Sequence, residues 1–350
     1  MNIEHIFITG GAGFIGCNFA DELLREGHTV TVFDNLSRAG EALNLEWLNQ
    51  RHRGSRFRFI QGDIRDFDTL HKAMAGAEVV FHLAAQTAVT TSIAQPREDF
   101  EINAHGTLNV LEAARQTPVS PIVVYASTNK VYGALDRARV IEDATRYVLP
   151  DQPYGIDEHW QLDFHSPYGC SKGAADQYVR DYARIYGLRT VVMRQSCIYG
   201  QRQFGVEDQG WVAWFAIAAI LGKPITVFGN GKQVRDLLHV KDLAQAWRAA
   251  VANIDTTAGR VYNLGGGVLN AISIWSEFGV LLSELVEHEV TAAGFADRRS
   301  GDQPVFICDT RRAQADFNWQ PTTSVRAGVN DLVTWINSCQ DTIVTALNRR

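Results

Sequence analysis

The chain has 350 residues, 46% of them apolar and 21% charged, and a formal net charge of −6. That is enough chain for one large α/β unit with a smaller lobe and a sizeable core. A mildly acidic protein without a run of Lys or Arg has no electrostatic footprint for nucleic acid.

The longest apolar stretch, Trp211 to Leu221, is too short for a membrane span and reads as a buried helix, so no membrane partner is expected. No basic segment precedes the first apolar run, and no signal peptide is read. Five scattered cysteines, Cys17, Cys170, Cys197, Cys308 and Cys339, are odd in number and contain no CxxC pair. They argue against a disulfide framework or a zinc site, so no metal is expected and a reducing cytoplasm fits.

In chain order, strand-like runs fall at 4–9, 28–34, 56–61, 78–83, 121–127 and 188–195, and helix-like runs at 14–27, 68–75, 98–116 and 168–187. Continuous apolar strands such as Val79-Val80-Phe81 and Ile122-Val123-Val124, alternating with longer helices, predict a Rossmann-type, doubly wound parallel sheet covered on both faces. After residue 195 the rhythm changes. We expect a dinucleotide-binding domain over 1–195, rejoined by 237–264, and a smaller interleaved substrate lobe over 196–236 and 265–345.

The first strand runs into Thr9-Gly10-Gly11-Ala12-Gly13-Phe14-Ile15-Gly16. Gly10 permits a tight turn, Gly13 lets a pyrophosphate approach the backbone, and Gly16 lets the helix pack on the strand. The helix start at Phe14 and Ile15 offers unpaired N–H groups to the phosphates. The second strand ends at Asp34, where an acid can bind ribose hydroxyls and repel a 2′-phosphate, so the expected cofactor is NAD. Asn35, Ser37 and Arg38 follow it, and Arg38 is a group a 2′-phosphate could also use.

Tyr168 and Lys172 stand four residues apart after Pro167, which suits a helix start, so both side chains share one face. A phenol has a pKa of about 10. A neighbouring ammonium and a nicotinamide ring can bring it down to about 7, which needs roughly 4 kcal/mol. Thr128, at the carboxyl end of the strand 121–127, is placed to meet the reacting hydroxyl, although Ser127 and Thr128 could instead only cap a turn. Lys130 either faces the sugar or pairs with a carboxylate such as Glu142. Trp211, Trp214 and Phe215 read mainly as an apolar wall of the second lobe.

Together these residues resemble the extended short-chain dehydrogenase/reductase family of NAD-dependent nucleotide-sugar epimerases and dehydratases. The glycine turn, Asp34, Gly62-Asp63-Ile64, His82-Leu83-Ala84-Ala85, Asn103 and the Tyr168/Lys172 pair match in order across nearly the whole chain. The resemblance implies that Asp63 and Ile64 flank the adenine and that Leu83, Ala84, Ala85 and Asn103 line the cofactor cleft. It makes Thr128, Tyr168 and Lys172 the catalytic set. It gives Arg235 to the substrate diphosphate, with Thr87, Asn129, Lys130, Ser196, Gln209, Arg299 and Asp302 as further substrate contacts. Pro304, after Gly301-Asp302, stands near where many relatives carry an arginine.

The stretches 127–133, 155–158, 166–175 and 203–211 resemble a subgroup that inverts C2 of a CDP-linked deoxyhexose by transient oxidation to a ketone and hydride return. A C4 epimerase is an alternative. A 4,6-dehydratase of the family would carry an Asp-Glu pair after the catalytic Thr, where this chain has Asn129-Lys130. A non-catalytic NAD-binding sensor need not keep the three catalytic residues. The helices 98–116 and 168–187 resemble those the family pairs across a dimer, so a homodimer or homotetramer is expected.

Overall fold

The computed structural model describes residues 4–299 and 301–348. Its central sheet has seven parallel strands in the order Arg260–Leu264, Thr190–Gln195, Ile122–Thr128, Val79–His82, His5–Thr9, Thr29–Asp34 and Phe57–Gln61. The strand order reverses between His5–Thr9 and Val79–His82, so the crevice at the carboxyl ends opens beside Thr9, Asp34 and His82. The α/β, doubly wound architecture expected from the alternating runs is the one found.

Both faces of the sheet are covered, which is why its strands are apolar along their whole length. One core gathers Phe19, Phe81 and Trp247, with Phe19 set edge-on to Phe81 at 4.7 Å. The other gathers Leu70, Val110, Leu111 and Val179.

The helices depart from the expected set in two places. Ala39–Arg51 is a full helix absent from the expected elements, because it buries only Asn44 and Leu48 and shows no apolar stripe. The run expected as one helix over 98–116 is an α-turn at Pro96–Phe100, a π-turn at Glu101–His105 and a helix at Gly106–Gln116. A π-turn carries one extra residue and rotates the side chains that follow; such turns recur at functional sites.

A second sheet is built on Val234–His239, which pairs with Cys197–Tyr199, Ala271–Ser273 and Val305–Phe306. The helix Trp211–Ile220 lies in the core beside it. Packing interleaves the chain: Val131, Tyr132 and Ile156 join Val234, Val305 and Phe306, while Ala313, Phe317 and Trp319 join the first core. No helix among the described residues is long and apolar enough to cross a membrane.

Candidate active site

The cofactor turn has the geometry its glycines require. Gly10 sits at φ +68°, and a Cβ there would stand 2.6 Å from the Ala84 nitrogen. A Cβ on Gly16 would fall 2.4 Å from the Gly10 carbonyl oxygen. At Gly13 an added Cβ would meet only the Gly10 oxygen, at 3.1 Å. The helix Phe14–Arg25 starts there without a side-chain cap, so its first N–H groups are available to an anion.

Beyond the turn lies a cavity of about 240 Å³ lined by Gly10, Asp34, Asp63, Ile64, Ala84 and Ala85 among others. Asp34 accepts from the N–H groups of Ala12 (3.0 Å) and Leu36 (2.8 Å), which fixes its carboxylate at the strand end. Glu41, absent from the expected site, shares that end of the cavity. Burial and the neighbouring Asp34 push its carboxyl up to about 7. Two acids here disfavour a phosphate on the ribose. The signal for Glu41 was its place three residues into a helix start, where it accepts from the Arg38 N–H at 2.8 Å. Asp63 is gripped by Arg65 and Asn35, and the Arg65 hydrogen bonds hold it down to about 2.

Asn103 is buried on the π-turn. The π-turn points it at the Gln86 backbone, where its Oδ1 accepts at 2.9 Å and its Nδ2 donates at 3.0 Å. It braces the loop that lines the cleft.

Thr128, Tyr168 and Lys172 converge at the carboxyl end of the strand Ile122–Thr128. Thr128 Oγ1 donates to Asn129 Oδ1 at 3.3 Å and eases ionisation of the Tyr168 hydroxyl. Burial pushes the phenol up to about 12, with Thr128 lowering it and Asp99 raising it further. Lys172 donates to the Ala126 carbonyl at 2.7 Å, and its Nζ lies 4.3 Å from the centre of the Tyr125 ring. Burial brings its ammonium down to about 7, against the pull of Asp176 and Asp99. His82 bridges Thr9 (2.8 Å) and Thr107 (2.9 Å) beneath the site, and burial beside Lys172 keeps it neutral, down to about 3.

At the seam with the second sheet, Asp302 sits between two cations. Arg235 donates to it at 2.6 Å and Lys130 at 3.4 Å. Burial alone would raise the Asp302 carboxyl, but Arg235 and Lys130 outweigh it and hold it at about 2. The partner anticipated for Lys130, Glu142, is taken by Lys232 at 2.8 Å. Asn129 donates to the wholly buried Gln303 at 3.0 Å.

The remaining expected substrate contacts have protein partners. Ser196 donates to Asp236 at 2.5 Å. Thr87 receives Arg38 (3.1 Å) and also Gln209. Arg299 donates to Asp208 (3.0 Å) and lies over the Phe228 ring. Asp99, Ser171 and Gln303 also belong to the site without having been expected there. Asp99, four residues before Asn103 on one helical face, carried a legible signal. Gln303 carried none. Among the described residues no cluster of three or more His, Cys, Asp or Glu is placed to hold a metal ion.

A glycine turn opening an uncapped helix, an acid at the second strand's end and a Tyr/Lys pair beside a strand-end hydroxyl define a dinucleotide-dependent enzyme acting on a hydroxyl. Residues 6–265 match the NAD dependent epimerase/dehydratase family, and the chain belongs to it. It is 46% identical over 340 residues to the CDP-paratose 2-epimerase of Salmonella typhi, covering 95% of this chain and 99% of that one. Its fold is similar to a UDP-glucuronic acid 4-epimerase of Bacillus cereus solved with UDP-glucuronic acid and NAD (TM-score 0.81, 26% identity, 95% and 99% covered). It is equally similar to a dTDP-glucose 4,6-dehydratase of Streptomyces venezuelae solved with NAD (TM-score 0.81, 27% identity, 96% and 98% covered).

Proposed function

We propose that this chain is an NAD-dependent nucleotide-sugar epimerase that inverts C2 of a CDP-linked deoxyhexose, with CDP-paratose as the reference substrate. The carrying observation is the end-to-end similarity to CDP-paratose 2-epimerase in a chain whose Thr128, Tyr168 and Lys172 meet at one strand end. Gly10, Gly13 and Gly16 would seat the pyrophosphate of NAD, Asp34 its ribose, and Asp63 and Ile64 its adenine. Bound there, NAD supplies the hydride acceptor and donor, so it is regenerated in each turnover and stays with the protein.

The chain's own residues handle the proton. Thr128 orients the sugar hydroxyl and Tyr168 takes its proton, returning it when the ketone is reduced from the other face. Burial holds the phenol at about 12, so making it a base near pH 7 takes roughly 7 kcal/mol of preferential stabilisation of the phenolate. That is more than an exposed tyrosine would need, and it makes the positive nicotinamide ring and the Lys172 ammonium both necessary contributors. Lys172, half charged near neutrality, is positioned by the Ala126 carbonyl to provide its share.

Dehydration is disfavoured by the groups that follow Thr128. Asn129 is tied to Gln303, and the carboxylate near Lys130, Asp302, is ionised down to about pH 2 and cannot serve as an acid at neutral pH. The same reading has the protein associate as a dimer or tetramer through the helices that leave Phe100, Tyr178 and Ile185 exposed.

Incubation with CDP-paratose in deuterated water tests the reading. The C2 epimer free of deuterium at C2, from protein that carries NAD without addition, supports it. Deuterium at C2, or turnover confined to C4 of UDP-sugars, overturns it. Tyr168→Phe is expected to lower kcat at least about a hundredfold while NAD stays bound.

A further inference from the structure

Asp99 is a buried carboxylate, 1% exposed, that the reaction described above does not use. Ser171 donates to it at 2.5 Å, the Gln86 side chain at 2.9 Å and Asn103 at 3.1 Å. These donors come from three elements: Ser171 from the catalytic helix, directly before Lys172; Asn103 from the π-turn; Gln86 from the loop lining the cofactor cavity. Burial raises the Asp99 carboxyl above its ordinary value, and the hydrogen bonds from Ser171 and Gln86, with the charge of Lys172, pull against that rise. The cation that acts on it electrostatically is Lys172.

We propose that Asp99 is a positioning residue of the Tyr168/Lys172 pair: through Ser171, the residue before Lys172, it seats the catalytic helix against the cofactor loop and presents its carboxylate to that pair. The inference rests on Tyr168 and Lys172 being the catalytic pair. Asp99 raises the proton affinity of both Lys172 and Tyr168. The other ionisable groups that face the pair are Asp176 on the same helix and His82 and Tyr125 on the sheet. Groups elsewhere around the helix have partners of their own: Glu112 with Arg115 and Tyr182, Arg194 with Asp176, Lys130 with Asp302.

Removing the Asp99 charge destabilises the Lys172 ammonium, so Lys172 loses its proton at lower pH; on Tyr168 the relieved repulsion and the loss of its ammonium neighbour oppose each other, so the test reads Lys172. The NAD-loaded protein is followed by the pH dependence of kcat on CDP-paratose, which reads the Lys172 midpoint, with retained NAD measured alongside. Asp99→Asn is expected to move the Lys172 midpoint down by about half a pH unit or more and to lower kcat about tenfold. Asp99→Glu restores the wild-type midpoint. Ser171→Ala keeps the charge, lowers kcat and leaves the midpoint in place, and it carries the test should Asp99→Asn fail to fold. Asp99→Asn curves superimposable on wild type, or a Ser171→Ala midpoint that moves as far as that of Asp99→Asn, overturns the proposal. Wild-type kcat in Tyr168→Phe would instead remove the reading on which it rests.

Discussion

The Asp176–Arg194 and Asp302–Arg235 pairs use the same two side chains in different surroundings. Asp176 and Arg194 are 0% and 2% exposed and joined by two hydrogen bonds of 2.8 and 2.9 Å. Ser127 donates to Asp176, Arg194 donates to the Tyr132 hydroxyl, and that hydroxyl donates to Asn263. Every strong group has a partner and water has no access. Asp302 is a quarter exposed and faces two cations, Arg235 and Lys130, so the cluster carries a surplus positive charge at the seam. A closed, balanced pair can only hold elements together. An open pair with one cation in excess has donors to spare, which suits the diphosphate contact proposed for Arg235 and Lys130.

Removing one partner of the closed pair breaks this contrast most severely. Arg194→Ala is expected to cost about 3–5 kcal/mol of stability, because Asp176 is left charged in a dry site. Arg235→Ala, measured alongside in urea, should cost less than half as much. Equal losses would mean that both pairs are scaffolding.

Binding gives the next effect. Arg235→Lys keeps the charge and loses the planar fork, and should raise the KM for the CDP-sugar about tenfold, roughly 1.4 kcal/mol. A KM within twofold of wild type would show that the diphosphate does not use Arg235.

The smallest effect is pH-dependent. The Asp302 carboxyl is depressed in the folded protein to about 2 from an ordinary value near 4, so its stabilisation is complete above about pH 5 and is lost as pH falls through 2. The full contribution is about 2 kcal/mol, of which about half is gone at pH 3. Urea midpoints at pH 5 and pH 3 should therefore converge more closely in Asp302→Asn than in wild type. Identical pH dependence in both would mean that the exposed pair is screened by solvent and stores little energy.

The same division runs through what could be read in advance. The glycine turn, Asp34 and the Tyr168/Lys172 pair were legible because each is local: strand, turn and helix fall within residues 5–34, and a four-residue spacing on a helix puts two side chains on one face. Ala39–Arg51 was illegible because it buries too little to show a stripe. The π-turn was illegible because nothing in the local pattern announces an added residue, and with it went the bond from Asn103 to the Gln86 backbone.

The sequence by itself determined the fold class, the glycine turn and the spacing that puts Tyr168 and Lys172 on one helical face. Tertiary structure alone decided the charge environment. It set Asp99 on Ser171 across 72 residues of chain, and Lys130 on Asp302 across 172. It buried Tyr168 deeply enough to push its phenol up to about 12, well above the value an exposed phenol has. The physical reason is range. Propensity, capping and turn chemistry act over a few neighbouring residues, whereas a proton's energy depends on every charge and on how much water the folded chain leaves nearby.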